Sequence, residues 1–172
     1  MKRPIRIEGD TAYVTLTHGY GAAIDAADVP MIEAWDWFAV VARRADGEIR
    51  TVYAVRGTRT DAGWRSVYMH RVIAGTPDGM ETDHIDCDGL NNRKSNLRDA
   101  SGAQNQHNRR TSSNNTSGHK GVDWYKALGK WRARIRVPGG RRDLGYFDTK
   151  SAAVAAYAKA SAELHGEFGR IA

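Results

Sequence analysis

Residues 109–118, RRTSSNNTSG, hold no apolar side chain. A run of that length has nothing to bury, so it reads as a linker, centred on residues 111–117. The chain is thereby constrained to two modules, a division that 172 residues allow. Charge changes across the same run. Residues 1–75 carry 10 Lys and Arg against 9 Asp and Glu, residues 76–117 carry 5 against 6, and residues 118–172 carry 11 against 5. The net charge of +6 therefore sits in the last third of the chain. An excess concentrated on one small module more often marks a polyanion partner than a solubilising face.

Hydrophobic residues make up 41% and charged residues 27%, a globular rather than a disordered composition. The single cysteine, Cys87, excludes an intramolecular disulfide and a Cys-x-x-Cys zinc site, and fits a reducing compartment. The start, MKRPIRIEGD, lacks the apolar core of a signal peptide, and no stretch approaches the ~18 apolar residues of a membrane span. A soluble, cytoplasmic protein with no membrane partner is expected.

Strand-like alternation runs through TAYVTLT (11–17), WFAVVA (37–42), IRTVYAVR (49–56) and WRSVYMH (64–70). RADGE (44–48) reads as an Asp-Gly hairpin turn. DVPMIEAW (28–35) places Asp28 as a cap ahead of Pro30 and predicts one short helix. Residues 1–66 are thus β-rich. Beyond the linker come a strand GKWRARIRV (129–137), a Pro-Gly-Gly turn, a strand RRDLGYF (141–147), and a helix from Thr149 to His165. Thr149 or Asp148 caps that helix, and Gly166 ends it. Ala153, Ala156, Tyr157, Ala160 and Leu164 form its apolar stripe, with alanines small enough for close approach to a sheet. On the first of these strands Trp131, Ala133, Ile135 and Val137 share one face, and Arg132, Arg134 and Arg136 the other. Three arginines in a row repel unless they are solvated or neutralised. A two-stranded β-ribbon fits the DNA major groove, which gives such a face a use. The fold class expected is α+β.

All seven asparagines lie between Asn91 and Asn115. ETDHID (81–86) reads as a short strand, DCDGLNN as a tight loop, and SNLRDASGAQNQHNR as a loop leading into a helix. Asp and Asn stabilise such turns by bonding local backbone, which alone accounts for many of them. A calcium loop fits poorly, because Gly89 falls at the fourth position of a loop counted from Asp86 rather than the sixth. The adjacency of Asp83 and His84 is sharper. Strand neighbours point to opposite faces, so one can hold a metal while the other activates water. Asn105 is placed to add a second oxygen ligand from the following helix.

MHRV (69–72), DHID (83–86), DGLNN (88–92), SNLR (95–98) and QNQHN (104–108) resemble an HNH endonuclease of the phage and intron homing type. The resemblance implies a ββα-metal motif in residues 67–110, with His84 as general base. It implies Asp83 and Asn105 as metal ligands, and Asn96 as the amide that ties the loop. Arg109 stands where other branches carry a further ligand, and His107 falls on another helix face from Asn105. A carboxylate and an amide oxygen favour magnesium (Mg2+) or manganese (Mn2+) over zinc.

SGHKGV (117–122), GKWRARI (129–135), LGYFDT (144–149) and AAVAAYAKA (152–160) resemble the plant ethylene-response-factor, or APETALA-type, DNA-binding domain. Over residues 118–172 the resemblance implies a three-stranded antiparallel sheet packed on one helix, reading double-stranded DNA from the sheet. The matched positions are Lys120, Arg134, Arg136 and Arg141, with Trp124, Lys126 and Arg132 as further candidates. Asp123 and Asp143 depart from the arginine and tryptophan of plant members.

The whole chain then reads as a site-specific DNA endonuclease. Residues 1–66 are the β-rich part of its nuclease domain, 67–110 the catalytic motif, 111–117 the linker and 118–172 the DNA reader. A monomer suffices for this arrangement. The competing reading is a non-catalytic, sequence-specific DNA-binding regulator. An RNA-binding protein is disfavoured by the absence of a stacking motif of that kind.

Overall fold

Alternating apolar and polar residues, cut by Asp, Asn and Gly at short intervals, make short strands rather than long helices. The computed structural model describes residues 2–112 and 114–171. It is α+β, with four small antiparallel sheets among the described residues. The chain divides into two units, Met1–Gly102 and Ala103–Ala172. The division falls before the polar linker, so all but the first residue of the helix carrying Asn105 belongs with the second unit.

The first unit opens with β1 (Ile5–Glu8), β2 (Thr11–Thr15) and β3 (Gly21–Asp25), in that order in one sheet. Ala12 pairs with Ile24 and Val14 with Ala22, so β2 and β3 share an apolar, buried face. A second sheet follows: β4 (Phe38–Arg43), β5 (Ile49–Thr60) and β6 (Gly63–Tyr68). The Asp-Gly turn forms as expected, with Arg44 N–H donating to the Glu48 carbonyl at 2.8 Å and Gly47 at φ 87°. Between the sheets lies α1 (Val29–Ile32), with Pro30 in its first turn. Asp28 does not cap it. Its buried carboxylate instead meets the Lys94 ammonium.

WRSVYMH is not strand throughout. Pairing with β5 ends at Tyr68, and the chain turns into α2 (Met69–Ala74), closed by Gly75 at φ 64°. Met69 and Ile73, four residues apart on one helix face, both enter the core. There they join Val14, Ile24, Ile32, Trp37, Val52 and Ala54, which come from both sheets and the intervening segments. The indole N–H of Trp37 is satisfied by the Ile32 carbonyl at 3.0 Å.

β7 (Glu81–His84) pairs antiparallel with β8 (Leu97–Ala100), a strand hidden in the polar SNLRDA segment. The loop between them is laid along β3. Ala23 N–H donates to the Leu90 carbonyl at 2.8 Å, and Asn92 N–H to the Ala23 carbonyl at 2.7 Å. Gly89 permits that approach, since a Cβ there would stand 2.4 Å from the Val52 carbonyl and 2.6 Å from the Tyr53 ring.

Helix α3 (Gly102–Asn108) begins at the division. The second unit's sheet has the order β11-β10-β9, from β9 (Val122–Tyr125), β10 (Lys130–Val137) and β11 (Gly140–Phe147). Helix α4 (Lys150–His165) packs on it, capped by Thr149, whose hydroxyl accepts from Ala152 N–H at 3.2 Å. Ala153, Tyr157 and Ala160 are buried against Val122, Ala133 and Ile135. Leu164 leaves the expected stripe and is exposed, while Ser161 is buried in its stead. Gly121 sits at φ 69° under Tyr157, where a Cβ would come 2.2 Å from the ring. The polar stretch is ordered at its end: the Ser117 hydroxyl donates to the Val122 carbonyl at 2.7 Å, and the Asn115 amide oxygen accepts from Ser117 and Gly118 N–H.

Candidate functional site

β7 carries Asp83 and His84 side by side, and both are buried. The His84 imidazole is fixed by a residue that the motif spacing does not single out. Its Nε2 lies 3.1 Å from Oδ1 of Asn92, whose side chain is wholly enclosed. The Asn92 amide nitrogen faces the Leu90 carbonyl at 3.4 Å and the Met69 sulfur at 3.7 Å. Those neighbours set the amide so that its oxygen faces the ring. Nε2 is therefore the N–H donor, and the lone pair of the neutral ring is on Nδ1. Burial lowers the His84 pKa from its ordinary value. The Asn92 bond and the carboxylates of Asp86, Asp83 and Asp88 work in the opposite direction without reversing it. The ring is thus neutral near pH 7, the form a proton acceptor needs.

An aromatic wall backs His84. The His70 ring meets it edge-on at 4.9 Å between centroids, and Tyr53 lies 5.9 Å away. Tyr68 stacks on His70 at 5.3 Å. Burial, then the neighbouring His84 and Arg71, bring the His70 pKa down to about 3. His70 is thus a neutral packing partner at physiological pH.

Asp83 faces Arg98, its direct cross-strand partner on β8. Nε and Nη2 of Arg98 reach Oδ2 of Asp83 at 2.9 and 2.8 Å, and the two side chains are 12% and 4% exposed. A buried carboxylate thereby gains its counter-ion within the hairpin. Asn96 closes the loop as expected: its oxygen accepts from Asp86 N–H at 3.0 Å, and its nitrogen donates to Asp86 Oδ1 at 2.9 Å and to the Asn91 carbonyl at 2.8 Å. Burial acts to raise the Asp86 pKa, but bonds from Asp88 N–H, Asn91 and Asn96, with His84 nearby, leave it lowered. Asp83, His84 and Asn96 come together in the first unit. Asn105 stands on α3, in the second.

Among the described residues no three His, Cys, Asp or Glu side chains group as a metal site. Magnesium is commonly held by one or two protein oxygens together with substrate phosphates, so a site with a single carboxylate fits that ion better than zinc.

In the second unit the arginine face of the sheet is internally braced. Asp123 lies opposite Arg132. Its carboxylate takes Arg132 Nη2 at 2.8 Å and Arg134 Nη2 at 3.4 Å. Arg132 also lies 4.6 Å over the Tyr125 ring, which is 5.3 Å from Tyr146. Arg136 stands directly opposite Arg141, and both are exposed. Two expected DNA contacts lie elsewhere. Trp124 pairs with Trp131 on the helix-facing side, 5.4 Å between rings, and Tyr125 occupies the arginine face in its place. Lys120 turns away to cap α3, its ammonium donating to the carbonyls of Gln106, His107 and Arg109. Lys126 lies in the exposed turn after β9. A bulge between Ala133 and Arg134 in the β10–β11 pairing, with Gly145 at φ 129°, leaves the alternation of β10 intact.

Over 94 residues the chain is 36% identical to Protein 3.8 of Escherichia phage T7, an alignment spanning 55% of this chain and 77% of that protein. The chain belongs to the Protein 3.8 family. No family profile and no solved structure matches it.

In this Protein 3.8 relative, the residues that sequence reasoning passed over are Asn92, Arg98 and Tyr146. Asn92 was visible only as one polar residue in DGLNN. Once β7 and β8 are paired, Arg98 follows from the register. Parity on β9 would have preferred Tyr125 to Trp124, because the residue opposite Arg132 is Asp123 and its face neighbour is two positions on. No helix among the described residues of this Protein 3.8 relative is long and apolar enough to cross a membrane.

Proposed function

We propose that the protein is an intracellular, phage-type, site-specific endonuclease of double-stranded DNA, homing in type, that hydrolyses phosphodiester bonds with His84 as general base. The observation that carries this reading is the neutral, buried imidazole whose Nε2 is held by Asn92. Its lone pair on Nδ1 accepts a proton from water as that water attacks phosphorus, and the 3′ oxygen leaves. Asp83 would hold magnesium or manganese, with Asn105 as second ligand on the sequence resemblance alone. Such an ion, when bound, neutralises phosphate charge and favours departure of the 3′ oxygen. Arg98 orients Asp83 and limits its negative charge. The arginine face of the second unit supplies DNA affinity, and a tethered second contact raises the local concentration of the first.

Plasmid nicking in magnesium, compared with EDTA and with the His84→Ala chain, tests the proposal. Metal-dependent nicking that His84→Ala lowers by about 10²–10⁴-fold supports it. Nicking by His84→Ala at the normal rate rejects the assignment.

The Asp83–Arg98 pair favours attention to a second reading, a non-catalytic DNA-binding regulator, because a carboxylate with a buried counter-ion binds a cation less strongly. Tight duplex binding with no magnesium-dependent nicking would establish that reading instead.

A further inference from the structure

Strand β5 outruns its sheet. Its pairing with β4 stops at Val55, whereas five more pairs, from Arg56 with Val67 to Thr60 with Gly63, join it to β6 alone. At about 3.3 Å per residue this two-stranded ribbon reaches roughly 15 Å beyond the last β4 pair. Gly57, Arg59 and residues 61–66 on it are all exposed. A hairpin extension with no core beneath it gains little from burial, so its side chains are available for another purpose.

Those side chains are basic and aromatic. Arg59 pairs across the ribbon with Trp64, and Arg65 with Thr58, so the two arginines stand on opposite faces. Among the described residues neither guanidinium has a carboxylate or hydrogen-bond partner. Trp64 is 76% exposed, its ring resting against Gly57, where a Cβ would be 3.3 Å away. At the root, Arg56 lies 4.1 Å over Trp35, with Nε and Nη1 buried and without acceptors. Asp61 is the sole acidic residue from 56 to 67. An uncompensated ribbon of this kind suits a polyanion with a groove. The major groove of B-DNA, about 12 Å wide, admits a two-stranded β-ribbon.

The geometry points to residues 56–67 as a DNA-docking ribbon of the first unit, entering a groove of the duplex with Arg59 and Arg65 on phosphates and Trp64 against the groove wall. This rests on the reading of the chain as acting on double-stranded DNA, and not on its catalysis. It gives the N-terminal unit a grip on DNA of its own, separate from the arginine face of the second unit.

The test is titration of a labelled mixed-sequence duplex with the full-length His84→Ala chain in EDTA, across a salt series. In that background Arg59→Gln/Arg65→Gln should weaken binding at least about tenfold and make the slope of log affinity against log salt shallower by about two, one contact per arginine. Trp64→Ala should weaken binding with the slope unchanged. Both sites are exposed, so thermal melts should match the parent and exclude misfolding. Unaltered affinity and slope in the double variant, with melts unchanged, overturn the ribbon proposal and leave a protein partner as its use. Failure of the parent chain to bind duplex overturns the DNA reading as well. Binding without nicking by the natural chain overturns only the nuclease.

Discussion

The amide oxygen of Asn92 lies 3.1 Å from Nε2 of His84, and that contact sets which nitrogen of the ring carries the proton. Asn92→Ala removes the acceptor and leaves a buried imidazole N–H unmatched. The expected loss of stability is about 1–3 kcal/mol. Nicking should fall by at least about tenfold, because the ring loses its fixed tautomer and orientation. Duplex affinity should not change. Normal turnover in a folded Asn92→Ala chain would remove the residue from the mechanism.

Asp83 and Arg98 are predicted to be far more sensitive singly than together. Arg98→Leu removes the counter-ion of a buried carboxylate and should destabilise the chain by about 3–5 kcal/mol. Asp83→Leu/Arg98→Leu removes both charges and should recover most of that loss. Urea melts of the two single variants and the double variant form the cycle. Simple additivity would mean that the pair is not coupled.

His70 predicts an acid weakness. Its folded pKa of about 3 lies below the ordinary value of 6.5. Above the ordinary value both states are neutral and the group has no effect on stability. As pH falls below it, the unfolded chain takes up a proton that the folded chain refuses, so stability drops by about 1.4 kcal/mol per pH unit until the folded ring also titrates. Between about pH 6.5 and about pH 5 the loss from this residue is about 2 kcal/mol. His70→Phe should flatten the pH dependence of the urea midpoint in that window. An unchanged slope would show that the ring is hydrated in the folded protein.

Lys120 and the arginine face are predicted to part company. Lys120→Ala removes donors from the last carbonyls of α3, and should lower the melting temperature while leaving the salt slope of DNA binding nearly intact. Arg136→Gln/Arg141→Gln should do the reverse. Relieving two like charges directly opposite on neighbouring strands leaves stability equal or higher, while the slope becomes shallower by about two. Asp123→Asn should strengthen DNA binding by releasing Arg132 and Arg134. A Lys120→Ala chain with a strongly reduced salt slope would restore Lys120 to the DNA interface.

What the sequence determined by itself are features whose causes act within a few residues. Period-two alternation on β10 separated Trp131, Ala133 and Ile135 from the arginines, the Asp-Gly turn joined β4 to β5, and Thr149 and Gly166 bounded α4. The order DHID, DGLNN, SNLR likewise located the polar loop. Tertiary structure decided the partnerships: Asn92 with His84, Asp83 with Arg98, Asp28 with Lys94, Asp123 with two arginines, and Lys120 with the end of α3. It also ended the strand at Tyr68 and found β8 in a segment too polar to announce itself. The reason is physical. A side chain's face follows from local backbone geometry, but its neighbour follows from strand register and loop closure. Those are set by burial of the whole core rather than by any short stretch of sequence.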